Sequence, residues 1–167
     1  HGEIGALEAL LGELGYDSSG NHPDDRKLVF VGDLTDRGPD SPAVVRLVAD
    51  LVGAGTAQCI LGNHELNLLL RHKKPENGWF VGDESRGNGC EVAADEPGRD
   101  FVIDFFGSLP MALERSDLRV VHACWNDEAI KQVRPHSDAA SLYRDHQSRI
   151  GRELSGCGEL DRVDINL

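Results

Sequence analysis

Between residues 4 and 14, apolar side chains recur at steps of three and four: Ile4, Leu7, Leu10, Leu11 and Leu14, with Gly15 following as a stop. That spacing predicts an amphipathic helix. From Tyr16 to Lys27 the chain is rich in Ser, Gly, Asn, Asp and Pro, the composition of a loop. Leu28-Val29-Phe30-Val31 is short and continuously apolar, as expected of a strand covered on both faces. After the turn-rich run Gly32 to Pro39, Ser41 and Pro42 take N-cap and first-turn positions of a second helix. Its apolar set is Val44, Val45, Leu47, Val48, Leu51 and Val52, and Gly53 and Gly55 end it. Ala57 to Leu61 reads as a second strand, Gly62 to Glu65 as a loop, and Leu66 to Arg71 as the start of another helix.

Strand, loop, helix, strand is a βαβ unit, which predicts parallel strands whose C-terminal loops open on one sheet edge. Ligands of open α/β sheets bind at that edge. Residues 72–98 form an excursion too long for a simple connection, in which Trp79 and Phe80 could pack inward or line a specificity lip. A helix is expected over Asp100 to Phe106. Met111 to Glu114 and Leu118 to Ala123 have hairpin spacing, and two further helices fall near Glu128 to Val133 and Asp138 to Leu154. No internal repeat is present, and residues 1–167 read as one α/β domain.

Charge narrows the partners. Seventeen Lys plus Arg stand against 29 Asp plus Glu, a formal charge of -12, which disfavours broad docking on nucleic acid or an anionic membrane. No apolar run has the length of a membrane span. Cys59, Cys90, Cys124 and Cys157 show no paired spacing and are read as free thiols of a reducing, cytoplasmic compartment. An anionic substrate then needs a local positive site, and a bound metal ion can supply it.

Polar clusters sit where apolar runs end: His1-Gly2, Gly32-Asp33 through Arg37-Gly38, Gly62-Asn63-His64-Glu65, and His122 after the apolar run Leu118 to Val121. Carboxylate, amide and imidazole groups converging on one sheet edge are the donor set of a divalent metal pair. Each cluster also has a plainer reading. Asp33 and Asp36 could be Asx-turn residues, His64 a helix cap, and His122 a satisfied structural histidine. Glu65 is expected to do no more than favour the helix N-terminus beside it. Trp125 is expected to pack rather than stack on a base. His22, His72, His136 and His146 are read as solvated.

Gly32-Asp33-Leu34-Thr35-Asp36-Arg37-Gly38 and Gly62-Asn63-His64-Glu65, 30 positions apart, preceded by His1-Gly2 and followed by His122, closely resemble the calcineurin-like metallophosphoesterases. The likeness is to the branch holding serine/threonine protein phosphatases and diadenosine tetraphosphatases, and it covers residues 1 to about 126. It implies an α/β/β/α arrangement, a β-sandwich flanked by helices. Here the sandwich is expected to be incomplete at both ends, because the family's Asp two residues before His1 lies outside the chain. A later His of the family pattern has no counterpart either.

By the same resemblance His1, Asp33, Asn63 and His122 are metal ligands, with Asp33 bridging the two ions. His64 protonates the leaving oxygen, Asp36 orients it, and Arg37 and Asn63 bind the substrate phosphate. The cofactors implied are two divalent ions, Mn²⁺ first, with Fe, Zn, Ni, Co or Mg as alternatives. The reaction implied is direct attack of a metal-bound water or hydroxide on phosphorus, with no covalent enzyme intermediate. Three functions are consistent with these motifs: a phosphatase of phosphorylated proteins, placed first; a hydrolase of dinucleoside polyphosphates, to which Gly-Asn-His-Glu-Leu-Asn-Leu-Leu is similar; and a non-catalytic metal- or partner-binding fold. Cys124 and Trp125 depart from the small residues usual after the His, which bears on pocket shape.

Overall fold

A computed structural model describes residues 1–82 and 92–155. In chain order the elements are α1 (Ile4–Glu13), β1 (Leu28–Phe30), α2 (Ser41–Gly53), β2 (Ala57–Cys59), α3 (Asn63–Leu69), a 3₁₀ turn (Pro75–Asn77), α4 (Gly78–Val81), α5 (Glu96–Ser108), β3 (Ala112–Arg115), β4 (Leu118–Val121), α6 (Asp127–Val133) and α7 (Ala139–Ser155). β1 pairs with β2 in parallel, Phe30 opposite Cys59, as the βαβ order predicts. β3 and β4 form the antiparallel hairpin, Ala112 opposite Val121. Val29 and Gln58 of the first sheet and Leu113, Leu118 and Val120 of the second line one hollow of ≈ 230 Å³. This mixed α/β architecture, with two small sheets and helices packed against the parallel one, agrees with an incomplete metallophosphoesterase sandwich.

The core lies between the parallel sheet and its helices. Val44, Val45 and Val48 of α2, Cys59, Leu61, Leu68, Trp79, Phe80, Val102 and Phe106 form one buried cluster. Phe80 and Phe106 are fully enclosed; each such side chain contributes about 2–3 kcal/mol of transfer free energy. Several expected boundaries move. α2 is capped by Asp40, whose Oδ1 accepts from Ala43 N at 2.8 Å, which releases Ser41 for the preceding loop. α3 begins at Asn63, so the second polar cluster occupies the first turn of a helix and not a loop. Part of the 72–98 excursion is ordered core structure: Trp79 and Phe80 are buried, and α5 starts at Glu96, capped by Asp95. Among the described residues no helix is long and apolar enough to cross a membrane.

Candidate active site

The loop after β1 carries four residues in the left-handed region: Gly32 (φ 85°), Asp33 (57°), Asp36 (72°) and Arg37 (66°). Such values are unfavourable for residues with a Cβ and must be held by contacts. The contacts are visible. Gly2 N donates to Leu34 O at 2.7 Å, Asp40 N to Gly2 O at 3.0 Å, and Asp36 N to the buried Ser41 hydroxyl at 2.9 Å.

Glu65 supplies the main tie. Its carboxylate is fully buried and accepts from Asp33 N (2.7 Å), Leu34 N (2.8 Å) and Gly62 N (2.8 Å), joining the loops that follow β1 and β2. Burial pushes this carboxyl above its ordinary range, and the three N–H donors act in the opposite direction. The expectation that Glu65 only favours a helix N-terminus is therefore corrected: it accepts from its own cap and also reaches across to the other loop. Gly62 is required there, since a Cβ would stand 2.5 Å from Asp33 Oδ1.

Asp33 lies between two histidines. Oδ2 is 3.4 Å from His1 Nε2, and Oδ1 is 3.4 Å from His122 Nε2. Asn63 Oδ1 stands 3.2 Å from the same His122 nitrogen. The histidine Nδ1 atoms are engaged behind, donating to Thr35 O (3.1 Å, His1) and to Val31 O (2.6 Å, His122). A carbonyl only accepts, so each Nδ1 carries hydrogen, and Nε2 is the ring atom turned toward Asp33. Two imidazole Nε2 atoms, a carboxylate and an amide oxygen thus face one small volume. This oxygen and nitrogen donor set, with its histidines held from behind by carbonyls, fits divalent metal. His1, Asp33 and His64 also each offer a ligand atom within 4.8 Å of the others.

Next to this cluster is a buried dyad. His64 Nδ1 is 2.6 Å from Asp36 Oδ2, and the other oxygen, Oδ1, accepts from Trp79 Nε1 at 2.7 Å. His64 and Asp36 are both buried. The hydrogen bond to Asp36 favours the imidazolium and raises His64 above its ordinary value, against the opposing effect of burial. Arg37 Nη2 is 3.4 Å from His64 Nε2 and 3.9 Å from Glu76 Oε1, and its side chain is more than half exposed. A guanidinium at the mouth and an imidazole behind it can receive a phosphoryl group. Trp79 was not singled out for this role by the sequence, where an indole in a Gly- and Pro-containing excursion reads as core or lip.

The structure thus brings His1, Asp33, Asp36, Arg37, Asn63, His64 and His122 to one sheet edge. It leaves the other histidines elsewhere. His22 is a correction, being largely enclosed instead of solvated: Nε2 donates to Leu14 O at 3.1 Å behind α1 and Nδ1 accepts from Asp24 N at 3.0 Å. His72 packs edge-on to Tyr143, and His136 is exposed. His146 is half-buried, receives Arg149 Nη2 at 3.0 Å, and lines an apolar hollow of ≈ 430 Å³ together with Leu66, Met111, His122 and Tyr143. Trp125 packs beneath Arg119, with Nε1 donating to Asp127 at 2.8 Å. Cys59 is buried and Cys124 exposed, both free; Cys90 and Cys157 lie outside the described residues.

Residues 1–154 match the family described as Calcineurin-like phosphoesterase. The chain belongs to this family. Among curated relatives, the asymmetrical bis(5'-nucleosyl)-tetraphosphatase PrpE of Halalkalibacterium halodurans is 49% identical over 75 residues, 43% of this chain and 30% of the relative. The symmetrical bis(5'-nucleosyl)-tetraphosphatase of a Janthinobacterium species is 41% identical over 100 residues, 58% of this chain and 32% of the relative. The PrpE of Bacillus subtilis is 43% identical over 77 residues, 44% of this chain and 31% of the relative. The chain thus matches about a third of the length of each of these proteins. Like other calcineurin-like phosphoesterases, it is expected to work with divalent metal.

Proposed function

We propose that this chain carries the centre of a metal-dependent hydrolase of dinucleoside polyphosphates, acting in the cytoplasm. The observation that carries the reading is the Asp33 carboxylate turned one oxygen to His1 and the other to His122, beside the Asp36–His64 dyad and Arg37. His1 would hold one cation, Asn63 and His122 the other, and Asp33 both, with Mn²⁺ the first choice. When bound, the cations supply positive charge against the phosphate and lower the pKa of an attacking water. Arg37 and Asn63 orient the phosphoryl oxygens. Water oxygen bonds to phosphorus as the bond to the leaving oxygen breaks; His64 Nε2 gives that oxygen its proton, and the proton lost by the water passes to solvent. Asp36 holds His64 in the orientation and charge state this transfer needs.

The nucleotide substrate is favoured over a phosphoprotein, the reading placed first on sequence, because the similar curated proteins are named as tetraphosphatases. The apolar hollow reached past Asn63 and His122, with Tyr143 in its wall, offers room for a nucleoside. The test uses the protein at its full natural length, with and without Mn²⁺, on diadenosine tetraphosphate, a phosphoserine peptide and p-nitrophenyl phosphate. Mn²⁺-dependent release of nucleotides is expected, reduced roughly 100-fold or more in His64→Asn at unchanged metal content. Preference for the phosphopeptide would move the substrate to proteins. Metal-saturated protein that turns over none of the three would leave the non-catalytic alternative.

A further inference from the structure

The Asp36 carboxylate has two oxygens and two buried partners. Oδ2 faces His64 Nδ1 at 2.6 Å, and Oδ1 takes the indole N–H of Trp79 at 2.7 Å. Trp79 lies 43 positions along the chain from Asp36, in the short helix α4, and is 3% exposed. Its own main chain is fixed, because Ala94 N donates to Trp79 O at 3.0 Å and Gly78 O receives Gly82 N at 2.9 Å. The preceding 3₁₀ turn is held by Asn77, fully buried, which bonds His72 O and Lys74 N at 2.8 and 3.1 Å.

We infer that Trp79 is a positioning residue for the proposed reaction, fixing the rotation of the Asp36 carboxylate so that His64 keeps Nε2 turned toward the leaving oxygen. Asp36 needs this support. It sits at φ 72°, its main-chain N–H is committed to Ser41, and among the described residues His64 and Trp79 are the partners that hold its carboxylate oxygens. Without the indole N–H, Oδ1 would be a buried carboxylate oxygen lacking its donor, and the carboxylate would turn to share its charge differently. A packing role alone would need the indole's volume and not its nitrogen. The same segment brings Glu76 to within 3.9 Å of Arg37, so residues 75–81 touch both the dyad and the phosphate-binding arginine.

The inference rests on the proposed reaction, and its test separates the two. Trp79→Phe retains most of the ring, and the benzothiophene analogue of tryptophan at position 79 retains shape while lacking N–H. Activity is compared on phenyl phosphate, whose leaving oxygen needs a proton, and 2,4-dinitrophenyl phosphate, whose leaving oxygen does not. For both replacements kcat on phenyl phosphate is expected to fall about tenfold or more, part of the 10²–10⁴-fold typical of acid–base catalysis, with KM little changed. On the dinitrophenyl ester the fall is expected to stay within about twofold, and in an Asp36→Asn background Trp79→Phe should add almost nothing.

Proton NMR of the metal-free protein gives a readout independent of turnover: the His64 Nδ1 proton, slow to exchange in the parent, is expected to exchange rapidly in both replacements. Equal losses on the two esters, or full activity in the benzothiophene variant, would overturn the inference while leaving the hydrolase reading intact. An unchanged His64 proton would overturn it even if the parent hydrolysed nothing. Circular dichroism matching the parent and a single cooperative unfolding transition, with its midpoint lowered by no more than the loss of one buried hydrogen bond explains, exclude misfolding as the source of a loss.

Discussion

Three backbone N–H groups from two separate loops end on one side chain, Glu65. Removing that acceptor strands buried donors, each costing about 1–3 kcal/mol, so Glu65→Ala should lower stability by roughly 3 kcal/mol or more. Glu65→Gln keeps one carbonyl oxygen and should lose less. Urea unfolding at constant slope checks this, and a midpoint for Glu65→Ala within error of the parent would remove the tie from the account. At this scale the motif residues were legible, because Asp33, Asp36, Arg37, Asn63 and His64 stand in two short runs whose order carries meaning. Glu65 and Trp79 were not. A Glu in the first turn of a helix has an ordinary local explanation, and no one-dimensional pattern reports an acceptor 31 or 32 positions away. The Trp79 bond likewise depends on a fold of the excursion that its Gly and Pro content obscures.

β2 alternates buried Ala57, exposed Gln58 and buried Cys59, which places the thiol in the core against α2. Burial pushes it up to about 12 from an ordinary 9.0. The folded state therefore holds a proton that the unfolded state releases first. This contribution is complete below pH 9, and it is lost as pH rises from there toward 12. Cys59→Ala should flatten that alkaline loss. At pH 8 iodoacetamide should modify exposed Cys124 readily and spare Cys59 until the chain unfolds, as peptide mapping would show. Rapid labelling of Cys59 in the native protein would contradict its place in the core. Periodicity located the elements well: α1, α2, the parallel pair and the hairpin all follow from spacing. It missed ends set by side-chain geometry, such as the cap at Asp40 and the start of α3 at Asn63, because Asp40, Ser41 and Gly62 are equally acceptable to a turn or a cap.

For the whole molecule, the formal charge of -12 and the nitrogen and oxygen donors gathered around Asp33 make cation binding and folding partners in one equilibrium. A cation bound only by the folded state at 100 times its dissociation constant adds about 2.7 kcal/mol. Mn²⁺ should therefore raise the melting temperature of the parent by several degrees and leave Asp33→Asn nearly unmoved, as calorimetry with and without chelator would record. An equal rise in the two proteins would locate the effect away from this site. The parallel pair followed from the βαβ order, whereas bringing His1 and His122, 121 positions apart, to the two oxygens of Asp33 required the chain after the hairpin to return to the end of β1. The left-handed backbone of Asp33, Asp36 and Arg37 reaches beyond chemistry into descent. Glycine at Asp33 or Arg37, both partly exposed, would relieve strain of order 1 kcal/mol, so a lineage no longer selected for turnover would drift there and become sturdier as it fell silent. Among distant members of the family, glycines at these positions would mark retired enzymes.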